Sequence, residues 1–222
     1  MTETLRLFLP GEEAVLESLE WKRKPDKIYL VKESDISKLR SFSNFQLVSE
    51  RMLRKLTELK TSSSMAAEFS WKSTNIRDFP ETGKFVLFDR IQDPGNVGSM
   101  IRTCFAAGIS GIFLSPECAK LANPKTFRAS RGAYFFMNIH EKTNIETARD
   151  FITRHNLKVF ITRKNKGKLF SLPDNSLLIM GNEAKGVSRE YNSLEHDNIS
   201  IPMNDDCDSL NVSVSLGIIL YA

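Results

Sequence analysis

Three separated segments of this 222-residue chain combine residue types that can do chemistry. The first, FDRIQDPGNVGSMIRTCFAAG (88–108), carries a Pro-Gly turn into the start of a helix. A helix N-terminus offers a ligand free backbone N–H groups and the positive end of the helix dipole. Val97, Met100, Ile101, Cys104 and Phe105 recur at helical spacing and form the expected buried face. Arg102 then falls on the opposite stripe near Ser99 and Ala106, able to reach an anion. A solvated arginine on an ordinary helix has the same spacing, and Asn96 fits a plain helix cap equally well. The second segment, LLIMGNEAKGVS (177–188), runs from an apolar strand through Gly181, Asn182, Glu183 and Gly186 into a helix start. That is the layout of a nucleotide-handling loop at the carboxyl end of a strand. It has neither the Gly-Lys-Ser/Thr ending of a P-loop nor the GxGxxG spacing. The third segment, ISIPMNDDCDSLNVSVSLGIILYA (199–222), reads as a strand ending at Pro202, an acidic loop, and an apolar helix opened by Ser209, Leu210 and Asn211. Ser209 or Asn211 could serve simply as its cap. The small residues Ser213, Ser215 and Gly217 permit close packing against another helix, within the chain or across a dimer.

The elements that must position these segments follow from hydrophobic pattern. From Lys84 onward the rhythm is strand, turn, helix, strand, with strands expected at FVLFD (85–89), GIFLS (111–115), AYFFMNI (133–139), LKVFITR (157–163) and SLLIMG (176–181). Near-continuous apolar runs such as FVLFD suit a central parallel strand covered on both faces. With the helix NIETARDFITRHN, this predicts an α/β fold with a mainly parallel sheet over residues 84–222. Residues 1–72 read as a separate small α/β domain. It holds a helix GEEAVLESLE, strands KIYLV (27–31) and FQLVS (45–49), and a helix ERMLRKLTEL with Met52, Leu53, Leu56 and Leu59 on one face. A serine-rich loop then leads to one more strand, and residues 73–83, broken by Pro80 and Gly83, read as a linker.

Composition sets bounds. Hydrophobic residues are 41% and charged residues 26%, as in globular proteins with a buried core. No apolar run reaches the roughly 18 residues of a membrane span, and no secretory signal is read at the N-terminus. Cys104, Cys118 and Cys207 are scattered away from His140, His155 and His196, so neither a metal site nor a disulfide framework is expected, and the plain reading is a reducing, cytoplasmic compartment. The net charge of +4 is spread: residues 1–83 carry 14 basic and 13 acidic side chains, and the remainder 17 and 14. Any RNA affinity must therefore come from local clusters such as Lys22-Arg23-Lys24, Arg51/Arg54/Lys55 and Lys125/Arg128/Arg131, each of which also fits a solvated face.

DPGNVGSMIRTCFAAG resembles the first motif of the TrmH/SpoU family of RNA 2′-O-ribose methyltransferases, within the SPOUT superfamily. IMGNEAKGV resembles the second motif, and IPM with SLNVSVS the third; KTFRASRGAYF is similar to the family's intermediate Ser-x-Gly-Ala segment. Order and spacing over 84–222 carry the resemblance, which extends more weakly to FLPGEEAVLESL, similar to the family's small, ribosomal-protein-like domain for substrate RNA. The resemblance implies a SPOUT-type fold with a C-terminal trefoil knot, and a homodimer whose active site draws on both subunits. It implies S-adenosylmethionine as cofactor, held by Met180, Gly181, Asn182, Glu183, Gly186, Ile201, Pro202, Met203, Ser209, Leu210 and Asn211. It also implies methyl transfer to a ribose 2′-hydroxyl, of ribosomal more than transfer RNA, with Arg102, Asn96, Glu183, Ser209 and Asn211 as the catalytic set.

Because a guanidinium is effectively always protonated, Arg102 is read as a clamp on the phosphate beside the target ribose rather than as a base. Lys22, Arg23, Lys125, Arg128 and Arg131 then become further RNA contacts, while Trp21, Trp71 and Tyr134 are read as packing ahead of base stacking. Asp205 stands where the third motif commonly has glycine. The alternative reading is a SPOUT-fold RNA-binding or ribosome-assembly protein without catalysis.

Overall fold

The computed structural model describes residues 4–58, 63–164 and 167–222. Two sheets organise the chain. The N-terminal part runs β1 (Thr4–Pro10), α1 (Glu12–Ser18), β2 (Lys27–Leu30), β3 (Phe45–Leu47), α2 (Glu50–Thr57) and β4 (Met65–Lys72). Its four strands lie in the order β1-β4-β2-β3, antiparallel except for the β2–β3 pair. Of the expected apolar face of α2, Leu53 is buried but Met52 is 44% exposed; Leu59 lies outside the described residues. β1 was not among the strands expected from the sequence, although Leu7 and Leu9 alternate inward along it.

The second part runs β5 (Lys84–Phe88), α3 (Pro94–Ala106), β6 (Gly111–Leu114), α4 (Pro124–Ser130), β7 (Ile139–His140), α5 (Ile145–His155), β8 (Lys158–Thr162), β9 (Ser176–Met180), α6 (Arg189–Asn192), β10 (Asp197–Ile199) and α7 (Val212–Leu220). All its strand pairs are parallel, in the order β10-β8-β9-β5-β6-β7. The sheet is covered on both faces, as the apolar runs predict. Along β5 and β9, Val86, Phe88, Leu178 and Met180 join the core shared with α3 and α7, whereas Phe85, Leu87, Leu177 and Ile179 join the core of α5 and α6.

Two expectations need correction. AYFFMNI is not one strand: Ala133–Phe136 forms a 3-10 turn, and only Ile139–His140 pairs with β6. A short apolar run does not distinguish strand from helix by periodicity. The strand of the third segment ends at Ile199 rather than Pro202, and the chain there loses ladder donors at the proline. Residues 73–83, read as the linker, are packed against the second sheet. Ser73 and Thr74 hydrogen-bond around Ile139, and Phe79, buried, stacks on Phe113 at 4.9 Å between ring centroids.

α3 carries much of the site. Asp93, not Asn96, caps it, its side chain accepting from the Asn96 N–H at 2.8 Å, with Pro94 opening the first turn. Such a cap is worth about 1 kcal/mol. Val97, Met100, Ile101 and Cys104 are buried as expected, but Phe105 is 46% exposed. It lies one position past the inward stripe, because 3.6 residues per turn carries the face around the helix. On the flank toward α4, a Cβ on Gly98 would stand 2.2 Å from the Thr126 carbonyl oxygen, so only glycine lets the two helices approach this closely.

Candidate active site

A cavity of about 400 Å³ opens at the carboxyl ends of β8, β9 and β10, where open α/β sheets take their ligands. Apolar walls come from Ile199, Ile201, Leu210, Val212 and Ile219. Its polar rim holds Lys164, Glu183, Asp208 and Ser209. Of the eleven residues assigned to cofactor binding from the sequence, nine line this cavity: Met180, Gly181, Asn182, Glu183, Gly186, Ile201, Met203, Ser209 and Leu210. Pro202 and Asn211 do not line it. Thr162, Arg163 and Lys164 line it without having been anticipated; their place at the end of a parallel strand was the available signal.

The loop after β9 is held from several sides. Asn182 and Gly186 exchange backbone hydrogen bonds, at 3.1 and 2.9 Å. The Asn182 side-chain oxygen accepts from the N–H groups of Ala184 and Lys185, and its Nδ2 donates to the Arg90 carbonyl at 2.9 Å. Arg90 returns a bond from its guanidinium to the Gly186 carbonyl at 3.1 Å. Behind it the buried Asp89 carboxylate accepts from the Ser188 N–H at 2.6 Å; burial pushes its pKa above the ordinary carboxylate value. A Cβ at Gly181 would meet the Val187 nitrogen at 2.3 Å and the Gly186 carbonyl carbon at 2.4 Å, so the loop closes only on glycine.

At the rim the three sequence segments meet. Asn96, in the first turn of α3, donates from Nδ2 to Glu183 Oε1 at 2.7 Å. Asn211 donates from Nδ2 to Asn96 Oδ1 at 3.0 Å, while its own Oδ1 accepts from the Ser213 N–H at 2.9 Å and so caps α7. One hydrogen-bonded chain, Asn211–Asn96–Glu183, thus joins residues 87 and 115 positions apart. Its carboxylate and amide groups can orient a hydroxyl nucleophile without themselves reacting.

Arg102 lies elsewhere. It is exposed and lines a second cleft of about 350 Å³ with Arg128 and Arg131 of the α4 region and with Glu13, Glu17 and Trp21 near α1. Arg131 is paired there with Glu17 at 2.6 Å. Lys125 is instead paired with the capping Asp93 at 2.8 Å, Arg23 is paired with Asp26 at 2.5 Å, and Lys22 is exposed. Trp71 and Tyr134 are buried and stack edge to face at 5.7 Å, leaving neither free for a base.

The sequence profile of the SpoU rRNA Methylase family matches residues 83–221. The chain belongs to this family. Among SpoU relatives, a 23S rRNA guanosine 2′-O-methyltransferase of Bacillus subtilis is 30% identical over 99% of this chain and 89% of its own length. The AdoMet complex of the SpoU methyltransferase AviRb from Streptomyces viridochromogenes shares the fold, with a TM-score of 0.81 at 22% identity over 97% of this chain and 88% of that one. An AdoMet-bound rRNA methyltransferase from Sinorhizobium meliloti superposes with a TM-score of 0.75 at 25% identity, covering 97% of this chain and 85% of that one. The matched region takes in the cavity, its loops and α3. Among the described residues no group of three or more His, Cys, Asp or Glu side chains could hold a metal ion, and no helix is long and apolar enough to cross a membrane.

Proposed function

We propose that this protein transfers a methyl group from S-adenosylmethionine to a ribose 2′-hydroxyl of ribosomal RNA. The observation that carries the reading is the hydrogen-bonded chain Asn211–Asn96–Glu183, which links one residue from each motif and ends on Glu183 at the rim of the cavity. The relatives acting on 23S rRNA support ribosomal over transfer RNA as substrate.

The cavity suits the cofactor. Its volume lies within the range of small-molecule sites, its apolar walls suit an adenine ring, and its rim carboxylates, Glu183 and Asp208, suit a cationic ligand. Backbone groups of 180–186 and 201–203, with Ser209 and Leu210, would hold it. When bound, S-adenosylmethionine supplies an electrophilic methyl group on a sulfonium leaving group. The residues of the chain then have two tasks: to place the 2′-hydroxyl in line, and to hold the RNA while its proton leaves. Asn96 and Ser209 orient the hydroxyl, and Glu183 with Asn211 fixes Asn96. Arg102 clamps the phosphate beside the target ribose, and an oxygen of that phosphate takes the hydroxyl proton on its way to solvent. Arg128 and Arg131 extend the clamp; Lys125, Lys22 and Arg23 add phosphate contacts farther out.

The return of the chain from β10, at the sheet edge, to α7 packed on α3 supports a trefoil knot formed by the C-terminal segment. Exposed Val214 and Ile218 on α7, with Tyr221 at its C-terminal cap, form an i, i+4, i+7 apolar stripe, which supports a homodimer. Arg102 lines a cleft other than the cavity, and in the homodimer of this reading one copy's arginine completes the site of the second. Residues 1–72 act as an RNA-binding domain joined by 73–83 to the catalytic domain 84–222, and the protein works in the cytoplasm, where ribosomal RNA is found.

Calorimetric titration of the full chain with S-adenosylmethionine tests the reading. One site per chain is expected; no heat of binding, with or without ribosomal RNA, would overturn it in favour of a non-catalytic RNA-binding protein.

A further inference from the structure

Phe105 and Phe136 stack on each other at 5.4 Å between centroids with a 27° interplanar angle, yet 46% and 43% of their surfaces face solvent. Among the described residues they are the one aromatic pair with both rings exposed. The sequence reading placed Phe105 on the buried face of its helix and Phe136 within an expected strand, and neither ring is buried. Burying aromatic side chains stabilises a fold, and two rings this exposed leave part of that stabilisation unused.

Their neighbours give the pair a ligand. Phe105 stands three residues after Arg102 on α3, hence on the adjoining part of the same helix face. Phe136 closes the 3-10 turn that follows Arg131 and Gly132. Each of the two segments therefore supplies arginine to the basic cleft and one ring to the exposed pair. A stretch of single-stranded RNA offers the matching set, a phosphate joined to a flat base. Nucleobases stack on aromatic faces whatever their sequence.

We propose that Phe105 and Phe136 form a stacking platform for a nucleobase next to the phosphate held by Arg102, Arg128 and Arg131. The proposal rests on the reading of that cleft as the RNA clamp. It makes the platform a determinant of RNA conformation: the substrate must present an unpaired base beside the methylated ribose.

The test uses two fluorescein-labelled probes, a ten-nucleotide oligoadenylate and an abasic ribose-phosphate oligomer of the same length. The full-length protein should prefer oligoadenylate by roughly 5- to 100-fold, the range for one stacked base. In Phe105→Ala/Phe136→Ala that preference should fall toward unity while affinity for the abasic oligomer is unchanged. Phe105→Tyr should retain the preference and Phe105→Leu should lose much of it, since leucine keeps apolar bulk without a ring. An unchanged base preference in the double variant overturns the platform. So does a Phe105→Leu protein that behaves as the parent, or a double variant that changes oligomeric state by sedimentation, which would make the pair a contact between copies. Methyl transfer to ribosomal RNA is measured in parallel on the parent protein. Absence of transfer with base preference intact would fault the methyltransferase reading and leave the platform standing.

Discussion

The cavity at the strand ends and the arginine cleft beside α1 are built on opposite principles. The cavity is framed by backbone: its loop after β9 is closed on Gly181, cross-bonded through Asn182, and anchored on Asp89 and Arg90. The cleft is framed by exposed arginine side chains on α3 and in the α4 region, one of them already paired with Glu17. A preorganised backbone site loses little entropy on binding and discriminates by shape. A cleft of long cations gains affinity by releasing counterions and must be sensitive to salt. The two surfaces suit a small cofactor and a polyanion respectively, and variants should separate them.

The largest separation is expected for Arg102→Ala. Methyl transfer should fall about a thousandfold, the upper range for removing one preorganised charge stabiliser, while S-adenosylmethionine binds as in the parent. Turnover equal to the parent's would remove Arg102 from the mechanism. The converse variant is Gly181→Val. It forces a Cβ against the Val187 nitrogen and should weaken cofactor affinity about a hundredfold, the scale of a ~3 kcal/mol backbone rearrangement. RNA affinity should be preserved, with circular dichroism confirming the fold.

Salt offers a finer contrast. RNA affinity measured against salt concentration should show a slope that flattens by about one unit in Arg128→Ala and again in Arg131→Ala. Cofactor affinity should barely respond. Equal salt slopes in parent and variants would place the RNA elsewhere.

The smallest effect concerns the cap that joins the two regions. Lys125, and then the Asn96 N–H, hold the Asp93 carboxyl below the ordinary carboxylate range. A depressed folded-state pKa contributes stability that is present above the unfolded value, about pH 4, and is lost as pH falls through the folded value. Asp93→Ala should cost about 1 kcal/mol near neutrality and lessen the loss on acidification. Thermal unfolding midpoints followed from about pH 7 down to about pH 3 check both signs.

What the sequence revealed, and what it hid, follows the reach of each signal. β5, β9 and the loop at 181–186 are local patterns, legible because apolar runs and glycines act over a few residues. α4 was not expected, since KTFRASR is short and polar, and its helix rests on the Asn123 cap and close contact with Gly98. The Asn211–Asn96–Glu183 chain is set by tertiary folding, so no local period could announce it. Phe105 erred by one helical position, which turned an exposed ring into an expected core residue. The motifs pointed to one site, but the geometry divides their residues between cavity and cleft.

The most direct test of methyl transfer is mass-spectrometric mapping of ribose methylation in ribosomal RNA from cells with and without the gene. The account predicts the loss of 2′-O-methylation at a defined ribose, restored by the parent gene and not by the Arg102→Ala form. An unchanged ribose-methylation map, or the loss of a base methyl group instead, would contradict it.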